Sequence, residues 1–166
     1  MTIEELPFNQ LIGITRSDRE NSVLSLPNDI RYTNHLGTVH AGAQLALAEA
    51  TSGEYLLREF KDVGFEVVPV VRRLEAKFRK PAYGAIFSKV NVTPEKKEEF
   101  ISSLRNKGRA LLEIQVDVFD EKDVHSLAAV IEWFVARKPA SPPQTPVTST
   151  PPAGTPVTPP IGTAIH

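Results

Sequence analysis

The chain has 166 residues, a formal net charge of −1 and no cysteine, and nine of its 14 prolines lie in the last 28 residues. The lack of cysteine excludes disulfides, thiolate-bound metal and a cysteine nucleophile. The near-zero charge does not favour a nucleic-acid-binding protein. All Asp, Glu, Lys and Arg residues precede position 139. Length and charge therefore predict one folded domain over residues 1–138 and a separate tail over residues 139–166.

Successive segments of the first 138 residues have the periodicity or the caps of regular structure, beginning with one helical turn. The predicted order after that turn is two short strands, a long helix, two strands, a second helix and two final strands. The segments are residues 2–6, 10–17, 22–26, about 39–60, 65–80, 84–92, 93–108, 109–120 and 125–137. Thr93, Pro94 and Gly108 have the residue types of an N-cap, a first helical position and a helix end. The hairpin-like connections after the long helix predict an antiparallel sheet and an α+β fold.

The two ends of the chain carry separate predictions. The first ten residues contain Glu4 and Glu5 and no apolar run, so they do not resemble a signal peptide and we expect a cytoplasmic protein. The tail repeats the string TPVT and is rich in proline, which predicts an extended, disordered segment. It is either a solvated tail or a ligand for a proline-binding domain, and the absence of charges around its PxxP strings favours the first.

The predicted long helix has an unusual composition. Residues 36–53 contain many small side chains and one residue that is fully charged at pH 7, Glu49. A surface helix normally has a charged face, so we expect this helix to be buried nearly all round. Its polar interruptions and its length do not fit a transmembrane span, and no membrane partner is predicted.

A lone carboxylate on such a helix needs an explanation, because burying an unpaired charge is costly. Glu49 shares a helix face with residues that are mostly small: Gly42, Leu45, Ala46 and Gly53. One interpretation is a ligand groove above the carboxylate. The other is that Glu49 pairs with Arg72 or Arg73, or reaches the surface.

Polar residues precede the helix, and they include Asn34 and His40. The first N–H groups of a helix lack internal partners, so those of Ala41 and Gly42 can stabilise an oxyanion. A histidine at this position is also typical of a helix cap. His40 and Glu49 are about 13–14 Å apart along a helix and on opposite sides of it. One chain therefore cannot easily place both groups on one carbonyl, whereas a dimer with adjacent helices can.

The segment NHLGTVHAGAQLALAEA over residues 34–50 resembles the signature of hotdog-fold acyl-CoA thioesterases of the phenylacetate-degradation type. That signature is approximately N-x-x-G-x-x-H-G-G-x-x-x-x-L-x-D. Glu49 stands at the position of its catalytic aspartate, and five other residues match in register: Asn34, Gly37, His40, Gly42 and Leu47. The later string LEAKFRKPAYG is similar to the strand that follows the hotdog helix. The resemblance covers about residues 10–137.

The resemblance implies an antiparallel sheet wrapped around a central helix, a homodimer or homotetramer, and an acyl-CoA or other acyl thioester bound at the dimer interface. Glu49 would be the general base or the nucleophile, Asn34 would position water or the acyl group, and His40 would support the oxyanion region. The N–H groups of Ala41 and Gly42 would bind the oxyanion. Leu45 and Ala46 would contact the substrate. No cofactor and no metal is implied.

Three positions differ from the family pattern. Ala41 replaces the first glycine after the histidine, Glu49 replaces aspartate, and Val70 or Val71 stands where related enzymes often have Ser or Thr. Ala41 and the valines favour an alternative hypothesis, a non-catalytic acyl or acyl-CoA binding module on the same fold. In a third interpretation the tail is the functional part and the domain is a dimerising scaffold.

Residues 72–80, RRLEAKFRK, form a basic strand. Alternation puts Leu74, Ala76 and Phe78 on one face and the charged residues on the other. The charged face is either a solvated exterior or, at Arg79 and Lys80, a contact for CoA phosphates. Acidic segments elsewhere offset this strand, so no nucleic-acid partner is expected. The four histidines are scattered, and no metal site is predicted.

Overall fold

A six-stranded antiparallel sheet packs against one long helix in the computed structural model, which describes residues 2–61 and 63–138. The predicted α+β class is confirmed. Two 3₁₀ turns cover Ile3–Glu5 and Ile30–Tyr32. The helices are α1 Pro7–Ile12, α2 Ala41–Glu59 and α3 Pro94–Lys107, and the strands are β1 Thr15–Arg16, β2 Leu24–Leu26, β3 Val67–Phe78, β4 Ile86–Asn91, β5 Arg109–Asp120 and β6 His125–Arg137.

The strand order is β1-β2-β4-β5-β6-β3, so β3 is an edge strand that pairs with β6 alone among the described strands. Pro69 lies on this edge strand and faces Val135 in the register. The register irregularity of β3 falls farther along, between Val71 and Arg73. The long strand β3 therefore has one free edge within the described residues.

The later elements have the predicted bounds because their signals are local. Thr93 caps α3, its Oγ1 accepting a hydrogen bond from the Lys96 N–H at 3.4 Å. Gly108 ends that helix in the left-handed region, with φ 70°. The two alternating strands β5 and β6 then pair along almost their full length.

The predicted strand over residues 10–17 is wrong in its first part. Pro7 occupies the first turn of α1, which continues to Ile12, and only Thr15–Arg16 is strand. The buried Asn9 side chain donates to the Ile3 carbonyl at 2.8 Å, which holds the helical turn against the preceding segment. Gly13 reverses the chain with φ 71°, a conformation that strongly favours glycine.

The main core lies between the sheet and α2. Alternate residues of β5 and β6 are buried there: Leu112, Ile114, Val116, Val118, Leu127, Ala129, Ile131, Trp133 and Val135. Two buried hydrogen bonds attach the helix to the sheet. Thr51 Oγ1 bonds Ser88 Oγ at 2.6 Å, and the Trp133 indole N–H donates to Ser52 Oγ at 2.9 Å. Both bonds satisfy polar groups that would be costly to bury alone.

The expectation that α2 is buried nearly all round holds on one side only. Leu47, Ala48 and the run Ala50–Glu54 are buried, whereas Leu45 and Glu49 on the other side are half-buried. The sheet covers one side of the helix within a single chain, which explains the difference. In the described part of the chain, no helix combines the length and apolar character needed to cross a membrane. The tail predictions for residues 139–166 concern positions outside the described residues.

Candidate functional site

Glu49 lies on the open side of α2 with its side chain half-buried. Its carboxylate makes no hydrogen bond or ion pair with residues 2–61 or 63–138. Arg73, one of its two possible partners, instead binds Glu75 and Glu113 at 3.0 Å each, and Arg72 does not pair with Glu49 either. Because burial removes water from it without supplying a counter-charge, the pKa of Glu49 is raised above its ordinary value of 4.5.

A hollow of about 330 Å³ opens beside this carboxylate, and we call it the Glu49 pocket. Its walls come from the N-terminal segment, from α2 and from strands β3 and β6, and they include Phe8, Leu57 and Trp133. Glu49 is the one ionisable side chain in this lining. A carboxylate of raised pKa in an apolar hollow is typical of a general acid or base.

The loop before α2 is organised by Asn34. Its side-chain oxygen accepts hydrogen bonds from the Leu36 and Thr38 N–H groups at 2.9 and 3.1 Å, and its NH₂ donates to Thr38 Oγ1 at 2.8 Å. These bonds form an Asx-type turn. Asn34 therefore shapes the approach to the helix N-terminus.

His40 is the N-cap of α2. Its Nδ1 accepts a hydrogen bond from the Gly42 N–H at 2.9 Å, so one of the two predicted oxyanion donors is engaged by the histidine ring. The Ala41 N–H has no acceptor among the described residues. One backbone donor at this helix end is thus free for a ligand, and the second becomes free if the ring moves.

A second hollow, of about 290 Å³, lies at this helix N-terminus, and we call it the α2 N-terminal pocket. It brings together Asn34, Ala41, Arg79 and Lys80 from the predicted site. Both cations are exposed and have no acidic partner among residues 2–61 and 63–138. The pocket thus joins a free backbone donor to two unpaired positive charges, a combination suited to an anionic ligand.

The single chain does not bring every predicted site residue together. Glu49 lines one hollow and Ala41 lines the other. Leu45 and Ala46 lie half-buried on α2 between these ends and line neither hollow. Because Ala41 and Glu49 belong to one continuous helix, the distance between them along its axis is fixed within one chain.

The sequence patterns do not predict two features of this region. The N-terminal segment, through Ile3 and Phe8, forms part of the Glu49 pocket. The view of α2 as a helix with a single carboxylate is also wrong beyond residue 53, because Glu54 is buried and 3% exposed. Arg16 binds Glu54 at 2.7 Å and Glu4 at 2.6 Å. No local pattern predicts these contacts, since the partners are far apart in the chain.

The described residues contain no group of three or more His, Asp or Glu side chains placed to hold a metal ion.

Comparisons with known proteins give a family and a set of similar structures. A family model described as a domain of unknown function, DUF4442, matches residues 9–135. A search of curated proteins gives no match to the sequence.

Three solved structures illustrate the similarity. A protein of unknown function from Pseudomonas aeruginosa, described as a probable thioesterase, is 24% identical with a TM-score of 0.68, covering 82% of this chain and 91% of that one. A thioesterase from Haemophilus influenzae is 17% identical with a TM-score of 0.59, covering 81% and 86%. A protein from Bacillus halodurans, solved with CoA, is 18% identical with a TM-score of 0.58, covering 77% and 74%.

Proposed function

The chain belongs to the DUF4442 family and has the hotdog fold of the thioesterase superfamily, and from this premise we propose that it hydrolyses an acyl-CoA or a related acyl thioester to the free acid and the thiol. The observation that carries the proposal is Glu49. It is a carboxylate without a partner among the described residues, half-buried on the central helix, with its pKa raised by burial. Such a group can accept a proton from water at neutral pH.

The complete site needs a second copy of the chain. Glu49 and the free Ala41 N–H line separate hollows of one chain, so each site combines Glu49 of one copy with the α2 N-terminus of the other. We therefore propose a homodimer as the smallest active unit, with a homotetramer as a further assembly.

The edge strand β3 is the surface that supports this dimer. Leu74 and Phe78 pair in register with the buried Ile131 and Leu127, which puts them on the helix side of the sheet. They are nevertheless 36% and 48% exposed within the single chain. A second copy would cover these apolar side chains and pair with the free edge of β3.

The hydrolysis follows from these positions. Glu49 takes a proton from water as the water oxygen bonds to the thioester carbonyl carbon. The negative charge that develops on the carbonyl oxygen is stabilised by the free Ala41 N–H and the positive end of the helix dipole at the second copy's α2 N-terminus. Collapse of this intermediate breaks the carbon–sulfur bond, and the departing thiolate takes the proton that Glu49 holds. The net reaction consumes one thioester and one water and releases one acid and one thiol.

CoA is the thiol that the α2 N-terminal pocket supports. Arg79 and Lys80 stand at that pocket without acidic partners among the described residues, and Arg and Lys are the usual phosphate ligands. A structural relative binds CoA. The pocket is lined as well by the apolar ring of Phe78, against which a pantetheine arm can pack.

The test is hydrolysis of a panel of acyl-CoAs by the wild type, by Glu49→Gln and by Glu49→Ala. We expect cleavage of at least one thioester and a fall in rate of about 10²–10⁴-fold in both variants, the usual contribution of a general base. Glu20→Gln, an exposed loop residue, is the control and should keep the full rate. Glu49 variants with wild-type rates, or a panel without any cleavage, would overturn the proposal.

A second candidate function is a non-catalytic acyl-CoA binding module. The observation that favours it is the hydrogen bond from the Gly42 N–H to His40 Nδ1, which engages one of the two oxyanion donors. His40→Ala discriminates the two functions. In a thioesterase it frees the Gly42 N–H and changes the rate, whereas a binding module binds acyl-CoA without turnover in both forms.

A further inference from the structure

The Glu49 pocket has the size and the lining of a site for an apolar group. We infer that it receives the acyl chain of the substrate and selects uncharged acyl groups of medium size, an inference that rests on the proposed function. A cavity of about 150 Å³ lined by apolar side chains binds benzene. At about 330 Å³, the Glu49 pocket can hold a chain of roughly eight carbon atoms or an aromatic acyl group.

The lining of the pocket excludes charged acyl groups. Large apolar side chains dominate it: Ile3, Leu6, Phe8, Leu56, Leu57 and Trp133. The side-chain amide of Asn9 is already bound to the Ile3 carbonyl, and the Trp133 indole N–H to Ser52. A second carboxylate, as in a dicarboxylic acyl group, would lie beside Glu49 with no cation in the lining, which is unfavourable.

The wall from the N-terminal segment is held in place before any ligand arrives. Arg16 bridges Glu4 of that segment to the buried Glu54 of α2, at 2.6 and 2.7 Å. The Asn9 amide ties α1 to the Ile3 carbonyl at 2.8 Å. A preformed pocket loses little ordering entropy when it binds a chain. Its volume can therefore act as a measure of chain length.

Gly53 is the residue that keeps the floor of this pocket open. A Cβ at position 53 would lie 3.2 Å from Ile3 Cδ1 and 3.8 Å from the Trp133 ring. A side chain there would occupy the space between the N-terminal wall and the indole. We therefore assign Gly53 as a specificity-determining residue, with Phe8 and Leu57 at the outer wall.

Trp133 provides a direct readout because it is the only tryptophan in the chain. Non-hydrolysable thioether analogues of acetyl-, octanoyl-, palmitoyl- and succinyl-CoA are titrated against the full chain while tryptophan emission is followed. We expect the octanoyl analogue to change the emission at the lowest concentration. The acetyl and succinyl analogues should bind at least about tenfold more weakly, since they lack the apolar contact or add a charge.

Three variants locate the effect. Gly53→Ala adds one methyl group to the floor and should weaken octanoyl-analogue binding by about tenfold, with little effect on the acetyl analogue. Phe8→Ala opens the outer wall and should shift the preference toward the palmitoyl analogue. Phe8 is 60% exposed, so its removal does not threaten folding. Leu11→Ala is the matched control, because Leu11 lies on the same helix, is 75% exposed and does not line the pocket.

The outcomes separate this inference from the proposed function. If acyl-CoAs are hydrolysed but Gly53→Ala and Phe8→Ala keep the wild-type chain preference, the acyl-pocket assignment is wrong and the thioesterase stands. If no thioester is cleaved, but the octanoyl analogue still changes Trp133 emission and Gly53→Ala weakens binding of that analogue, the acyl-pocket assignment is supported and the proposed hydrolysis is wrong. An emission that is unaffected by every analogue overturns the acyl pocket.

Discussion

Two of the three glutamates of helix α2, Glu49 and Glu54, lie less than two turns apart, and their surroundings differ in every respect that matters for chemistry. Glu54 is 3% exposed and bound to Arg16 at 2.7 Å. Glu49 is half-buried, has no partner in the described chain, and lines an apolar pocket. A buried carboxylate that is paired with a cation usually stabilises the fold. A carboxylate that is desolvated without a cation has a raised pKa and can act as a base in a reaction. The helix therefore separates a structural acid from a reactive one.

The largest effect expected from this comparison is on activity. Glu49→Gln should lower kcat by about 10²–10⁴-fold, because the general base is lost. The folded state is retained, since Glu49 has no ion pair with residues 2–61 or 63–138 that the substitution would break. Thioester hydrolysis checks the loss of rate, and thermal melting followed by circular dichroism checks that the fold is retained. A loss of structure in parallel with the loss of rate would make Glu49 a structural residue like Glu54.

The next effect is on stability and concerns the other glutamate. Arg16→Ala leaves Glu54 buried without its cation and should destabilise the fold by about 2–3 kcal/mol, less than the roughly 3–5 kcal/mol of a fully buried pair because Arg16 is half exposed. Urea unfolding measures this change in the free energy of unfolding. Arg31→Ala, which breaks the exposed Arg31–Asp29 pair, should leave the urea midpoint unchanged. Equal midpoints for the two variants would show that the Glu54 pair contributes nothing.

A third effect tests why Glu49 has no partner among the described residues of its own chain. Leu74→Glu puts a charge on the apolar helix side of β3, where we expect a second copy to pack, and should weaken the dimer at least about tenfold. The molar mass measured by light scattering and the rate of thioester hydrolysis should fall together. Leu111→Glu is the control, since Leu111 is 49% exposed and pairs with Phe134 on the opposite face of the sheet. A monomeric wild type with full activity would contradict the shared site.

The smallest effect is a pH dependence of stability. The folded pKa of Glu49 is raised above 4.5 by burial, so the neutral carboxyl favours the fold. That stability is present below pH 4.5 and is lost as the pH rises through the raised folded pKa. Glu49→Gln should therefore melt slightly above the wild type at pH 8 and at the same temperature at pH 4. A wild type that gains stability over Glu49→Gln with rising pH would reverse the sign and disprove the raised pKa.

Prediction from sequence succeeded where the signal lies within a few residues. The cap residue Thr93, the terminal Gly108 and the alternation of β5 set their elements without help from the rest of the chain. The strand predicted around Gln10 is wrong. The alternation of apolar residues there competes with a helical turn that begins at Pro7 and is stabilised by the hydrogen bond from the Asn9 side chain to the Ile3 carbonyl. Glu49 stood out because small, uncharged residues surround it locally.

The amino-acid sequence by itself determined the order of the elements, the long small-residue helix and the position of its unusual carboxylate. These depend on periodicity, caps and neighbours a few residues away. Only the tertiary structure decided that Glu54 is paired and what surrounds Glu49. Arg16 reaches Glu54, and the N-terminal segment and Trp133 meet at Gly53, through contacts between distant parts of the chain. The environment that fixes a carboxylate's charge and reactivity is built from such contacts, so a local pattern cannot specify it.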